Sequence, residues 1–179
     1  MNYLLSGGAK NGKSMLAQNI VKSMQPDRPI YYLATMIPHD EEDHARIARH
    51  LRDREGWGFE TVECGRHILC ALESADPNGA FLLDSVTALL ANEMFLPDGA
   101  LDEAAPLRVA RELTEFAART GNTVFVSDFI YADAGLYDAW TERYRAGLAR
   151  IDRQLAGVCG GVAELCAGNV LWYKGGWQG

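Results

Sequence analysis

Apolar runs alternate with amphipathic segments along the chain, and their spacing predicts strands alternating with helices. Tyr3-Leu4-Leu5 opens as a strand, and a helix is expected from Met15 to Met24. The turn Gln25-Pro26-Asp27-Arg28-Pro29 leads into Ile30-Tyr31-Tyr32-Leu33-Ala34-Thr35, a β-rich run of the kind buried on both faces of a sheet. Pro38 and the acidic cluster Asp40-Glu41-Glu42-Asp43 suit a helix start, and the following pattern predicts a helix to about Arg54. His44, Ile47, Ala48 and Leu51 share the side expected to face the core, while Arg46, His50 and Arg54 form a neighbouring stripe. Gly56-Trp57-Gly58 breaks this helix, and Phe59 to Glu63 alternates as a short strand. A helix from Arg66 to Ser74, a turn at Asp76-Pro77-Asn78-Gly79 and the apolar strand Ala80 to Asp84 come next.

The second half continues in the same rhythm. Ser85 to Phe95 reads as a helix, Leu96-Pro97-Asp98-Gly99 as a turn, and about Glu103 to Arg119 as a longer helix with Leu107, Ala110, Leu113 and Ala117 facing inward. Thr123 to Ser127 is a buried strand, Phe129 to Gly135 a loop, and Leu136 to Cys159 the last long helix. Val162 to Ala167 and Val170 to Tyr173 are expected to be closing strands. The pattern predicts a three-layer α/β fold with a mostly parallel sheet and helices on both faces, which the glycine-rich G-x-x-x-x-G-K-S loop Gly7 to Ser14 directly after the first strand makes P-loop NTPase-like. Strand ends at Ser6, Thr35, Asp84 and Ser127 should then converge on one edge, where open α/β sheets bind ligands.

Composition narrows the partners. The 179 residues suit one compact domain spanning 1–179. A net charge of −7 argues against a nucleic-acid-binding or anionic-membrane-binding face. No apolar stretch approaches a membrane span, and the first strand runs straight into a loop with no room for a cleaved signal peptide, so a cytoplasmic location is expected. Cys64, Cys70, Cys159 and Cys166 contain no C-x-x-C pair and are expected to be reduced, with Cys166 buried in its apolar run.

The chemistry centres on Gly7-Gly8-Ala9-Lys10-Asn11-Gly12-Lys13-Ser14, which fits the phosphate-loop pattern G-x-x-x-x-G-K-[ST] between a strand and a helix. Glycines let successive backbone N–H groups turn toward an anion, and the helix start adds its positive dipole end. Lys13 is placed to bridge β- and γ-phosphates, and Ser14 to hold Mg²⁺. Asp84 closes an apolar strand as the acid of a Walker B segment does, orienting Mg²⁺ or its waters. The flanking arginines make the surroundings of His50 fit for phosphate.

Together these residues resemble the bifunctional adenosylcobinamide kinase/adenosylcobinamide-phosphate guanylyltransferase family of cobalamin biosynthesis. Ser6 to Ser14 follows its T-G-G-x-x-S-G-K-S motif, and Tyr32-Leu33-Ala34-Thr35 its Y-I-A-T. Asp40, Glu42, Arg46, Ile47, His50 and Arg54 fit D-x-E-M-x-x-R-I-x-x-H-x-x-x-R, with Asp43 in place of Met. Glu63 matches the T-x-E that follows, and Thr87 and Asn92 stand where the family shows T and N. The second half departs from the pattern. N-E-V-G is replaced by Asp128-Phe129-Ile130-Tyr131, and R-x-x-x-G-x-x-N-Q keeps Arg145 but shows Ala149, Asp152 and Arg153. Phe59 replaces a tryptophan, and V-x-G-I is reduced to Cys166-Ala167-Gly168-Asn169.

The resemblance implies phosphorylation of adenosylcobinamide by ATP or GTP, followed by GMP transfer from GTP through His50 to give adenosylcobinamide-GDP. Lys13 would serve phosphoryl transfer, and Arg46, Arg54, Ala34, Thr35, Glu63 and Asp84 would join the loop at the nucleotide. It also implies a homo-oligomer, with a trimer as the first expectation. Two alternatives stay open on the residues alone: a P-loop kinase or nucleotidyltransferase acting on another small substrate, and a nucleotide-dependent regulatory protein.

Overall fold

The computed structural model describes residues 1–24, 27–38, 40, 41, 45, 47, 48, 52 and 56–178. The strands are β1 (Tyr3–Gly7), β2 (Ile30–Ala34), β3 (Phe59–Glu63), β4 (Ala80–Asp84), β5 (Thr123–Asp128), β6 (Gly161–Cys166) and β7 (Asn169–Lys174). The helices are α1 (Lys13–Met24), α2 (Val86–Met94), α3 (Ala105–Thr120) and α4 (Ala139–Val158), with a 3₁₀ helix over Ile68–Glu73. The strands form one sheet in the order β3-β2-β4-β5-β1-β6-β7. Every neighbouring pair is parallel except the β6–β7 hairpin. No described helix is long and apolar enough to cross a membrane.

Side chains alternate across the sheet and give each face its own core. Leu4, Leu33, Phe81, Leu83 and Phe125 pack with α2, α3 and α4, while Leu5, Tyr32, Leu82, Val124 and Val126 pack with Ala17, Ile20 and Val21 of α1. The central strands are apolar on both faces because helices cover both, as predicted.

Several local expectations are corrected. The segment expected as a helix from Arg66 to Ser74 is a 3₁₀ helix, and its buried residues Ile68 and Ala71 lie three apart, the spacing at which side chains of a 3₁₀ turn align. Leu107 is 49% exposed, because the first turn of α3 instead buries Ala105 and Pro106. Pro106 sits so close to Gly147 of α4 that a Cβ there would lie 2.8 Å from its ring. The last helix starts at Ala139, where the Asp138 carboxylate accepts from the N–H groups of Trp140 and Thr141. All four cysteines are free, but Cys166 is exposed, since it ends β6 at the tight turn into β7. Ala48 is exposed rather than core-facing, while Ile47 is half-buried. The other residues of that proposed core face, His44 and Leu51, lie outside the described residues.

Candidate active site at the strand ends

The loop from Gly7 to Gly12 leaves β1 and enters α1 at Lys13. Gly7 is required twice over: its φ is 151°, and an added Cβ would lie 2.3 Å from the Leu165 carbonyl oxygen of β6. Lys10 and Gly12 also have positive φ, 57° and 86°, so the chain doubles back within six residues. The Lys13 side chain folds over this loop. Its ammonium donates to the carbonyls of Gly7 at 2.9 Å and Gly8 at 2.7 Å and pairs with Asp128 Oδ1 at 2.9 Å. All three donors of the ammonium are therefore occupied, and Lys13 is 6% exposed.

Across from it, Ser14 Oγ donates to Asp84 Oδ2 at 2.9 Å. A hydroxyl and a carboxylate at this separation are hard oxygen donors suited to Mg²⁺. The register sets Ala34 of β2 against both Glu63 of β3 and Asp84 of β4, and Gly7 of β1 against Asp128 of β5. The predicted residues Gly7 to Ser14, Ala34, Glu63 and Asp84 are thus brought to one edge of the sheet. Arg46, His50 and Arg54 lie outside the described residues. Beside Asp84 opens a cavity of about 450 Å³, lined mainly by Tyr32, Ala34, Met36, Ile37, Ile47 and Glu63.

Thr35 has a different place from that expected of a nucleotide contact. It is fully buried, and its Oγ1 donates to the Ser85 carbonyl at 2.9 Å while accepting from the Ser85 N–H at 2.7 Å. It therefore holds the peptide that follows Asp84, tying the end of β2 to the end of β4. Two residues of α2 complete this bracing. Asn92 Nδ2 donates to the carbonyls of Thr35 and Gly65 at 2.7 and 2.8 Å, and Thr87 Oγ1 accepts from the Asp128 N–H at 2.9 Å. Helix α2 reaches these positions because Ser85 caps it by accepting from the Ala88 N–H immediately after the strand. Periodicity assigned Thr87 and Asn92 no role, since both are polar residues of a helix whose other face is core.

Asp128 is the site residue that strand-end reasoning left without a role. Its signal was period two: Ser127 and Asp128 must point to opposite faces, and only Asp128 reaches Lys13. A second polar group lies at His67, Glu93 and Glu112, whose ligand atoms all fall within 4.8 Å. There the buried Glu93 is already engaged by the His67 N–H and Arg108. Burial alone would push its carboxyl up, but those two donors hold it below the usual carboxylate range.

The family model for cobinamide kinase / cobinamide phosphate guanyltransferase (CobU) matches residues 3–172. The chain belongs to this family. It is 37% identical over 105 residues to the bifunctional adenosylcobalamin biosynthesis protein CobU of Salmonella typhimurium, a match covering 57% of this chain and 55% of that protein. It is 38% identical over 98 residues to the protein of the same name from Escherichia coli, covering 53% and 51%. The chain thus matches about half the length of these curated relatives. In fold it is similar to a KaiC-like protein, PH0186, of Pyrococcus horikoshii OT3, with a TM-score of 0.51, 15% identity and coverage of 97% of this chain and 78% of that one. A second P. horikoshii structure, PH0250, gives a TM-score of 0.55 at 11% identity, covering 97% and 85%. The architecture is a P-loop NTPase-like α/β fold.

Proposed function

We propose that this chain phosphorylates adenosylcobinamide with ATP or GTP and then transfers GMP from GTP to the product, acting in cobalamin biosynthesis. The observation that carries the reading is the Ser14–Asp84 contact beside Lys13, in a chain whose family model names both reactions. The loop from Gly7 to Ser14 receives the triphosphate, and Lys13 exchanges its carbonyl and Asp128 partners for phosphate oxygens. Ser14 and Asp84 would hold Mg²⁺, which supplies neutralisation of phosphate charge. For the kinase step, the substrate hydroxyl attacks the γ-phosphorus and the nucleoside diphosphate leaves. For the second step, an imidazole nitrogen of His50 attacks the α-phosphorus of GTP. An N–P bond forms, the bond from the α-phosphorus to the bridging oxygen breaks, and pyrophosphate departs. The substrate phosphate then takes the GMP from His50 and restores the imidazole. Arg46 and Arg54 are assigned to the phosphate oxygens. The cavity beside Asp84 supports a substrate with an apolar portion.

Incubation with GTP and Mg²⁺, followed by intact-mass measurement, tests the guanylyl step. An acid-labile GMP adduct is expected on the wild type and not on His50→Ala. Absence of the adduct from folded protein that binds GTP refutes it. A nucleotide-binding regulatory role would give binding with neither adduct nor phosphorylated cobinamide.

A further inference from the structure

A second cleft lies on the other side of the sheet from α1, between α4 and the strands β1 and β6, with a volume of about 460 Å³. Its base is Asp152 of α4, 5% exposed. One oxygen, Oδ2, accepts from Ser127 Oγ at 2.9 Å and from Tyr131 OH at 3.0 Å. The other, Oδ1, is buried with no hydrogen-bond partner among the described residues. Ser6 Oγ on the same wall is likewise buried without a partner among those residues, and a buried carboxylate matched on one oxygen only is costly, so a positive charge in the cleft would offset it. Around it stand the rings of Phe129, Tyr131 and Tyr173 and the aliphatic surface of Leu4, Ala156 and Val162.

The charges select the kind of donor. Glu164 adds a second carboxylate at the rim, where it accepts from Tyr173 OH, and Asp128 lies near enough to act on Asp152 as a like charge. Arg153 is the single cation among the lining residues, and it is exposed on α4. Burial pushes the Asp152 carboxyl up, to about 6, which leaves it ionised at neutral pH. The cleft therefore disfavours anions and offers an organic cation both a carboxylate and aromatic faces.

We infer that this cleft is a binding site for a small organic ammonium with an apolar body, its positive charge held against the Asp152 carboxylate and its body against the aromatic rings. The site is separate from the phosphate loop and requires none of the residues assigned to nucleotide. Benzylammonium is a suitable probe, with benzyl alcohol as its neutral counterpart and benzoate as the anion, each titrated into the full chain at about pH 8 up to about 10 mM and followed by side-chain NMR shifts. Saturable shifts of Phe129 and Tyr131 are expected with benzylammonium, at least about tenfold weaker with benzyl alcohol and absent with benzoate. Asp152→Asn should weaken benzylammonium by about tenfold or more while leaving GTP binding intact. Ala156→Leu keeps the carboxylate but fills the cleft, so it should abolish the shifts, and this second variant guards against misfolding of the first. No saturable shift in the wild type overturns the inference. Equal affinity for benzyl alcohol, or an undiminished affinity in both folded variants, does so as well.

Discussion

Asp152→Asn is expected to make stability less dependent on pH, in a direction opposite to that of most carboxylate substitutions. In the folded chain burial raises this carboxyl from its ordinary 3.8 to about 6. The native state therefore binds the proton more tightly than the unfolded state does. That contribution is fully present below about pH 4 and is lost as pH rises through about 6. The whole gap corresponds to about 3 kcal/mol, of which linkage places about 1.4 kcal/mol between pH 5 and pH 8. Asparagine keeps an acceptor for Ser127 and Tyr131 and carries no charge to bury. Urea unfolding of both proteins at pH 5 and pH 8, at one fixed protein concentration, gives the difference directly. The variant should gain about 1.4 kcal/mol on the wild type between the two pH values. A difference that does not change with pH, or that moves the other way, refutes the account of Asp152 as a buried group that pays to ionise.

Two further substitutions probe the strand-end edge. Gly7→Ala drives a Cβ to within 2.3 Å of the Leu165 carbonyl oxygen at a φ of 151°, so β1 and β6 must separate locally; a loss above about 2 kcal/mol in urea unfolding is expected, and a loss below about 0.5 kcal/mol contradicts the close approach. Asn92→Ala removes two hydrogen bonds and leaves the Thr35 and Gly65 carbonyls without that donor; a loss of about 1–3 kcal/mol is expected, with faster amide exchange at the ends of β2 and β3, and unchanged exchange there argues against the bracing role.

The sheet was legible in the chain because its signals are local. Runs such as Ala80 to Asp84 and Thr123 to Ser127 are short, apolar and bounded by turns, and the order glycine loop, Lys13-Ser14, helix leaves few arrangements open. Of the strand ends expected to converge, Ser6, Thr35, Asp84 and Ser127, parallel pairing does bring all four to one edge, but only Asp84 meets the phosphate-loop residues: Ser127 turns to Asp152, Ser6 lines the α4 cleft and Thr35 holds Ser85. What sequence did not disclose depends on contacts between distant segments. Leu107 fits an inward stripe until Pro106 meets Gly147, 41 positions on. The two periods of a helix, 3.0 and 3.6, cannot be separated over the few residues from Ile68 to Glu73. Thr35 looks like a ligand contact by position, and only the backbone of Ser85 makes it a brace. Asp152 looks like a solvated helix residue until Ser127 and Tyr131 are seen to meet it.

The same strand ends serve both sides of the sheet, and the alternation of side chains makes the two regions neighbours. On β5, Ser127 points to Asp152 and the next residue, Asp128, pairs with Lys13 over the phosphate loop. On β1, Ser6 borders the α4 cleft, and the next residue, Gly7, supplies a carbonyl to Lys13. The Ser127 contact to the buried carboxylate is therefore one peptide unit away from the Asp128 contact that fixes the loop lysine. The Phe129 N–H, which donates to the Gly7 carbonyl at 3.0 Å, joins the two strands at the same level. A peptide unit is planar and stiff, so a displacement of Ser127 toward or away from Asp152 must move the Asp128 backbone with it. Thr87 resists that movement by accepting from the Asp128 N–H, and Tyr144 of α4 in turn donates to the Thr87 carbonyl. The loop lysine is thus positioned by a chain of contacts that includes α4, the helix on which the family pattern is most altered.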